Sequence, residues 1–313
     1  MEELNQEYRI VRASEDNIAD LSRLFKESRG IHVPVDYLKR KYNTAYTSKS
    51  YFAHFAYSAD GTPAAFFCLF PCFVRINGEK KLAGQSADII THVDHQRKGL
   101  FGLLGRATEA LAKQEGMNYL FAFPNSNSFP GFYRSLNWHH PGNFKIYSFP
   151  ISGIPIYRIL HKLKLGKIYS LWKSFVISMF RSKEETFIGA DFESGENVCW
   201  RDESFFSYKK YNDNFVCELN GFRIWAKVEG ALIVGDISRS NMPIEKLINK
   251  ISRLCKLLGL DSFQIEVSEG SFYDKLLRDK HAFLEGVPIV FKNLDIPEQK
   301  LSLSHTGADA DVF

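Results

Sequence analysis

His92-Val93-Asp94-His95-Gln96-Arg97-Lys98-Gly99-Leu100-Phe101-Gly102-Leu103-Leu104 carries a strand-like run through a basic, glycine-containing loop directly into an apolar-periodic helix. The first amides of a helix lack intrahelical partners and lie at the positive end of its dipole. Gln96 to Phe101 therefore present a ring of backbone N–H donors to an anion. At Gly99 no Cβ stands between amide and phosphate. Arg97 and Lys98 add mobile positive charge, suited to a pyrophosphate or a ribose phosphate. Leu100, Leu103, Leu104, Ala107 and Leu111 make one helical face, and Gly116 stops it.

Upstream, Pro63 to Val74 and Lys80 to Val93 read as two long strands joined at Asn77-Gly78, a two-residue hairpin turn. Downstream come a buried strand at Tyr119 to Phe123, a turn at Pro124-Asn125-Ser126-Asn127, and a short helix ending near Leu136-Asn137-Trp138. The second half repeats this order. Phe215 to Leu219, Phe222 to Val228 and Ala231 to Ile237 form a meander turned at Asn220-Gly221 and Glu229-Gly230. A helix over Ile244 to Leu258, a strand at Phe263 to Val267, a short helix near Ser271 to Arg278 and a strand at Val287 to Lys292 follow.

Hairpin, glycine loop, helix, strand, helix and strand, in that order over residues 6 to 150, resemble the GNAT acyl-coenzyme A transferases. Gln96-Arg97-Lys98-Gly99-Leu100-Phe101 is similar to the family's Gln/Arg-x-x-Gly-x-Gly/Ala pyrophosphate loop. Phe101 departs from the small residue usual there, and Gly102 comes one place late. Ser128 to Trp138 is similar to the family segment whose tyrosine precedes a Leu-Gly-Phe ending. Asn137 replaces that glycine, and asparagine also tolerates a left-handed backbone.

The resemblance implies a tandem arrangement in an α/β (α+β) class, with two GNAT-like domains, each a mixed, mostly antiparallel sheet flanked by helices. The expected boundaries are a catalytic domain at 1–150, a bridging helical linker at 151–200, a degenerate GNAT-like domain at 201–297 and a disordered tail at 298–313. Ser238-Arg239-Ser240-Asn241-Met242-Pro243 offers no glycine for phosphate approach, so only the first copy is expected to hold coenzyme A.

In such a protein the main chain of Ile90, Thr91, His92 and Val93 pairs with pantetheine. Gln96, Arg97, Lys98, Gly99, Leu100, Phe101 and Gly102 hold the pyrophosphate, and Asn125 hydrogen-bonds the cofactor or caps a helix; capping is expected rather of Asn127. Direct acyl transfer needs a base for the acceptor and an acid for the leaving thiolate. Asp88 and His92 are the candidate bases, four positions apart and on one face of a regular strand. Tyr133 is the candidate acid, matching the family tyrosine that donates to the sulfur.

Ile156 to Lys183 is rich in Leu, Ile, Phe, Lys and Arg. It reads either as a basic amphipathic helix touching membrane or, the preferred reading, as a helix whose apolar face packs on the protein. Trp200-Arg201-Asp202-Glu203 reads as a structural Arg-carboxylate or cation-π contact.

With 313 residues, 45% of them hydrophobic, the chain can bury two cores. A net charge of +4 and the lack of any zinc-finger or ribonucleoprotein motif set nucleic acid aside. Five cysteines, Cys68, Cys72, Cys199, Cys217 and Cys255, lie mostly in apolar runs and read as reduced thiols. An acidic, polar start and no bilayer-length apolar run lead to the expectation of a cytoplasmic protein. No Gly-x-Ser-x-Gly, His-Glu-x-x-His or Walker motif occurs, and no metal is implied.

The expected activity is N-acyl transfer, most simply acetyl transfer, from an acyl-CoA such as acetyl-CoA to an amine of a small molecule. An amino sugar of a surface-glycan pathway is an acceptor the resemblance implies. Two alternatives stand beside it. One is a tRNA-dependent aminoacyltransferase of the peptidoglycan-modifying type. The other is a non-catalytic GNAT-fold binding or scaffold protein, which a Phe101 ring filling the phosphate loop would favour.

Overall fold

The computed structural model describes residues 7–182, 186–295 and 301–313. These fall into two compact units. The described residues of 1–75, 79–142 and 287–302 make the first, and those of 76–78, 143–286 and 303–313 the second. The division departs from the expected boundaries at 150 and 297, because the chain leaves the first unit within one strand and returns to it within its last.

In the first unit β1 (Arg9–Arg12), β2 (Ala53–Tyr57) and β3 (Pro63–Ile76) are antiparallel. Asn77 and Gly78, both at positive φ, turn β3 into β4 (Glu79–Thr91) as the hairpin signal requires. β5 (Tyr119–Ala122) pairs parallel with β4, and β12 (Leu284–Asn293) pairs antiparallel with β5. α1 (Ala19–Arg29) and α2 (Val35–Tyr42) cover one face, where Leu21, Leu24, Leu38 and Tyr42 join Phe55, Phe66 and Ile90. The amphipathic α3 (Leu100–Gln114) covers the other, where Leu100 and Leu104 join Phe67, Leu69, Leu120 and Phe132. Each such buried side chain contributes about 1.5–3 kcal/mol.

The second unit begins with residues 143–150 of β6 (His139–Pro150), then α4 (Ile156–Lys162), α5 (Gly166–Phe180), α6 (Ala190–Glu193), β7 (Val198–Cys199) and α7 (Glu203–Lys209). β8 (Asn214–Glu218), β9 (Arg223–Glu229) and β10 (Ala231–Ile237) form the antiparallel meander. After α8 (Ile244–Leu257), β11 (Ser262–Ser268) pairs parallel with β10, and α9 (Phe272–Leu277) follows. β6 pairs antiparallel with β11. Meander, parallel fourth strand and antiparallel fifth thus repeat the strand pattern of the first unit.

The expected disordered tail is corrected over its described part. Residues 298–300 lie outside the described residues, but Leu303, His305, Thr306, Ala308, Asp309 and Phe313 are buried. The linker also differs from expectation. Tyr169, Lys173, Val176 and Ile177 of α5 pack inward, while its opposite apolar residues stay exposed.

Candidate functional site

β4 is not a regular strand. Asp88 has φ +48, a left-handed conformation in mid-strand. Leu82 and Ile89 pack in the α3 core, whereas Ala87 and Ile90 pack in the α1/α2 core. An even-numbered residue therefore faces opposite sides before and after Asp88, which is what one inserted residue does to a period-two chain.

The parallel pairing with β5 runs from Ala83↔Tyr119 to Ser86↔Ala122 and stops there. β4 continues to Thr91, so a wedge opens between the strands where main-chain groups can pair with an extended ligand. Of the four residues expected to do so, Ile90 and Thr91 lie in this run. The His92 main chain and the Val93 carbonyl are already engaged. The His92 amide donates to the Ala64 carbonyl at 2.8 Å, its carbonyl accepts from His95 at 2.9 Å, and the Val93 carbonyl accepts from Gln96. Both belong to a 3-10 turn over Val93–His95 and its N-cap.

Beyond this turn Arg97 (φ +62) and Gly99 (φ +73) are left-handed, and α3 starts at Leu100. No side chain caps the helix. Its first amides thus face an open mouth formed by exposed Gln96, Arg97, Lys98 and Gly99. Lys98 pairs with Glu7 at 2.9 Å, while Arg97 is in no ion pair among the described residues.

Phe101 does not fill this mouth. Its ring lies edge-on to Phe67 and Phe132, at 5.5 and 5.3 Å between centroids, in the α3 core. The bulky residue is accommodated because Gly131 has no side chain. Gly102 sits in the first turn, where a Cβ would first meet the flexible Arg106 side chain.

Gly131–Ser135, which carries Tyr133, is a single π-turn closed by left-handed Asn137. It is pinned to α3 by Phe101 against Gly131 and by Leu136 against Gly105. Tyr133 is 53% exposed and stacked on Phe129 at 5.8 Å. Asn125, not Asn127, does the capping: its Oδ1 accepts from the Asn127 amide at 3.0 Å and the Ser128 amide at 3.1 Å.

The expected Asp88–His92 pair is not formed. Asp88 Oδ2 accepts from Lys41 Nζ at 2.6 Å and from the Tyr42 hydroxyl at 2.9 Å. His92 Nδ1 accepts from the Asp94 amide at 3.3 Å. The inserted residue at Asp88 removes the regular alternation on which the pairing rested. Burial, with the Asp88 carboxylate, pushes the Tyr42 phenol well above its ordinary value, so it stays a donor. Lys41 and Tyr42 are more than forty positions from Asp88, with no motif to announce them. Arg29, which donates to the Ile89 carbonyl at 3.2 Å, was equally invisible.

The corresponding place in the second unit is filled. β10 is also irregular, with its register shifting between Val234 and Asp236. Its parallel pairing with β11 ends at Val234↔Ile265. There the chain's own segment enters. The Ser268 amide donates to the His305 carbonyl at 2.8 Å, Gly307 packs on Gly235, and the Phe313 ring covers Gly235 and meets Trp225 edge-on at 5.2 Å.

Arg201 fixes this plug. It is buried and pairs with Asp236 and with Asp309, the latter at 2.5 Å, while its guanidinium lies 5.4 Å from the Trp225 ring. Burial holds the Asp236 carboxyl up at about 6 despite Arg201, whereas Asp309, though buried, is held below the usual carboxylate range by Arg201 and His305. Cys199, His305 and Asp309 bring ligand atoms within 4.8 Å of one another. Asp309 is already engaged by Arg201, His305 and the Thr306 amide, and the guanidinium charge opposes a cation there. Among the described residues no helix is long and apolar enough to cross a membrane.

A family model described as an acetyltransferase (GNAT) domain matches residues 9–140. A GCN5-related N-acetyltransferase from Kribbella flavida superposes with a TM-score of 0.59 at 14% identity, covering 92% of this chain and 72% of that one. A putative acetyltransferase from Pyrococcus horikoshii gives 0.53 at 14% identity, covering 96% and 94%. The Saccharomyces cerevisiae N-myristoyltransferase solved with bound myristoyl-CoA gives 0.53 at 10% identity, covering 91% and 78%. At these identities the structures share the fold. No curated protein matches the sequence.

Proposed function

We propose that this chain, whose residues 9–140 match the acetyltransferase (GNAT) family model, transfers an acyl group, most simply acetyl, from coenzyme A to the amine of a small molecule. The observation that carries the reading is the wedge beyond Ser86 and Ala122 leading into the uncapped start of α3. It supplies, in sequence, main-chain groups for an extended pantetheine and free amides with Arg97 for a pyrophosphate. The Phe101 ring, packed in the core rather than in the mouth, supports this reading over a scaffold.

The bound thioester would supply the acyl group. The acceptor nitrogen forms the new C–N bond, the C–S bond breaks, and the proton lost by nitrogen is matched by one gained at sulfur. We assign the proton to sulfur to Tyr133, whose phenol is exposed on a turn pinned to α3. Lys41 and Tyr42 engage Asp88, so we give it a positioning role, holding the irregular part of β4. His92 caps the turn that aims the loop. We read the second unit as a GNAT-like copy that leaves coenzyme A alone because residues 303–313 fill its wedge. The amino-sugar acceptor and a cytoplasmic setting, in keeping with five buried cysteines outside any disulfide, belong to the same proposal.

Calorimetric titration with acetyl-CoA tests the reading. Gly99→Asp keeps a residue that tolerates left-handed backbone but puts a carboxylate in the mouth; Gly99→Asn is its neutral control. Saturable binding by the wild type, weakened about tenfold or more by Asp and little by Asn, is the expected result. A folded wild type that does not bind acetyl-CoA overturns it in favour of the tRNA-dependent or scaffold alternative.

A further inference from the structure

α5 is apolar on two faces. Tyr169, Lys173, Val176 and Ile177 turn inward, and the Lys173 ammonium is neutralised by Asp213. Ile168, Leu171, Trp172, Phe175 and Met179 recur at i, i+3, i+4, i+7 and i+11, a single stripe on the helix. All five are exposed, Leu171 by 74% and Phe175 by 58%. The turn before the helix adds exposed Leu163 (60%) and Leu165. Scattered exposed apolar residues need no explanation, but a continuous stripe of large ones does.

Charge identifies what covers it. Residues 151–183 contain no Asp or Glu. Lys162, Lys164 and Lys167 are exposed beside the stripe and enter no ion pair among the described residues. Trp172 keeps its indole N–H satisfied by the Leu257 carbonyl at 2.9 Å while its ring stays partly exposed, the amphipathic habit of an interfacial tryptophan. Pairing this face with itself in a two-fold dimer would set lysines against lysines. At 15 residues α5 is too short to span a bilayer, for which about 20 are needed.

We propose that the α4–α5 hairpin docks the protein on an anionic phospholipid surface. α5 lies in the interface with Leu171, Trp172 and Phe175 among the acyl chains, and the three lysines meet the headgroups.

Flotation of the full chain with phosphatidylglycerol-containing vesicles, against pure phosphatidylcholine vesicles, tests this. Association with the anionic vesicles is expected. It should be lost in Leu171→Glu/Phe175→Glu and weakened about a hundredfold in Lys162→Gln/Lys164→Gln/Lys167→Gln, three surface charges removed. Both variants change exposed residues, so circular dichroism and acetyl-CoA titration should match the wild type. No association with either vesicle, or association unchanged in the Glu variant, overturns the proposal. So does a wild-type dimer by sedimentation that Leu171→Glu/Phe175→Glu dissociates while neither protein floats.

Discussion

The Phe101 ring occupies the space a side chain on Gly131 would need, its Cε1 standing 2.5 Å from the ideal Cβ position. One residue belongs to the first turn of α3 and the other to the π-turn that carries Tyr133. Gly131→Ala should therefore cost about 1–3 kcal/mol by overpacking. Phe101→Leu, which vacates that space, should make the double variant less destabilised than the sum of the singles. Urea unfolding of the four proteins checks the coupling, and additive effects would show that the contact matters little.

Lys41 and Asp88 form an ion pair whose side chains are only 5% and 16% exposed. Asp88→Ala takes the carboxylate away from a buried ammonium and should cost about 3 kcal/mol, whereas Lys41→Met/Asp88→Asn, neutral at both positions and with a residue that tolerates the left-handed backbone, should recover much of it. Acetylation assayed with the neutral double variant separates the roles. Activity kept in proportion to the folded fraction fits positioning, and a folded but inactive protein restores Asp88 as the base.

Burial, aided by Arg12, lowers the His54 imidazole to about 4 from 6.5. Thr108 Oγ donates to the Leu104 carbonyl, so His54 Nδ1 is the donor in its 2.9 Å bond to that oxygen. Above pH 6.5 both folded and unfolded forms are neutral at this site. As pH falls from 6.5 toward 4 only the unfolded form takes up the proton, and stability drops by at most about 3 kcal/mol. His54→Asn should flatten that part of the stability profile; an unchanged slope would assign it to other groups.

Phe313 is buried against Trp225 and over Gly235. Phe313→Ala should cost about 3–5 kcal/mol, and hydrogen exchange should rise in β10 and the 303–313 segment before the first unit changes. Uniform exchange across the chain would contradict two separately packed cores.

All five cysteines are buried thiols outside any disulfide. Burial pushes the Cys217 and Cys255 thiols up to about 12, and Cys68 well above its usual value. A disulfide reagent at pH 8 should leave the native protein unmodified and count five thiols once it is unfolded in guanidinium. Rapid native labelling would disprove the burial.

The sequence by itself determined what is local. Asn77-Gly78 set a hairpin, the spacing of Leu100, Leu104 and Ala107 made a helix, and Gly99 before it marked an anion-binding start. Each follows from backbone preference or from a period of two or 3.6, both written in consecutive residues. The same grammar, repeated after residue 214, disclosed the second meander, helix and parallel strand. Tertiary structure alone decided the rest. The inserted residue at Asp88 has no compositional signature, yet it reversed the faces of β4 and undid the expected Asp88–His92 pair. Lys41, Tyr42 and Arg29 reach β4 from helices far away in sequence. A polar, small-residue stretch ending in Phe313 looked unstructured because periodicity cannot register a plug held by Arg201 and Trp225. Such contacts depend on where distant segments meet, and that is fixed by the packing of whole sheets and helices.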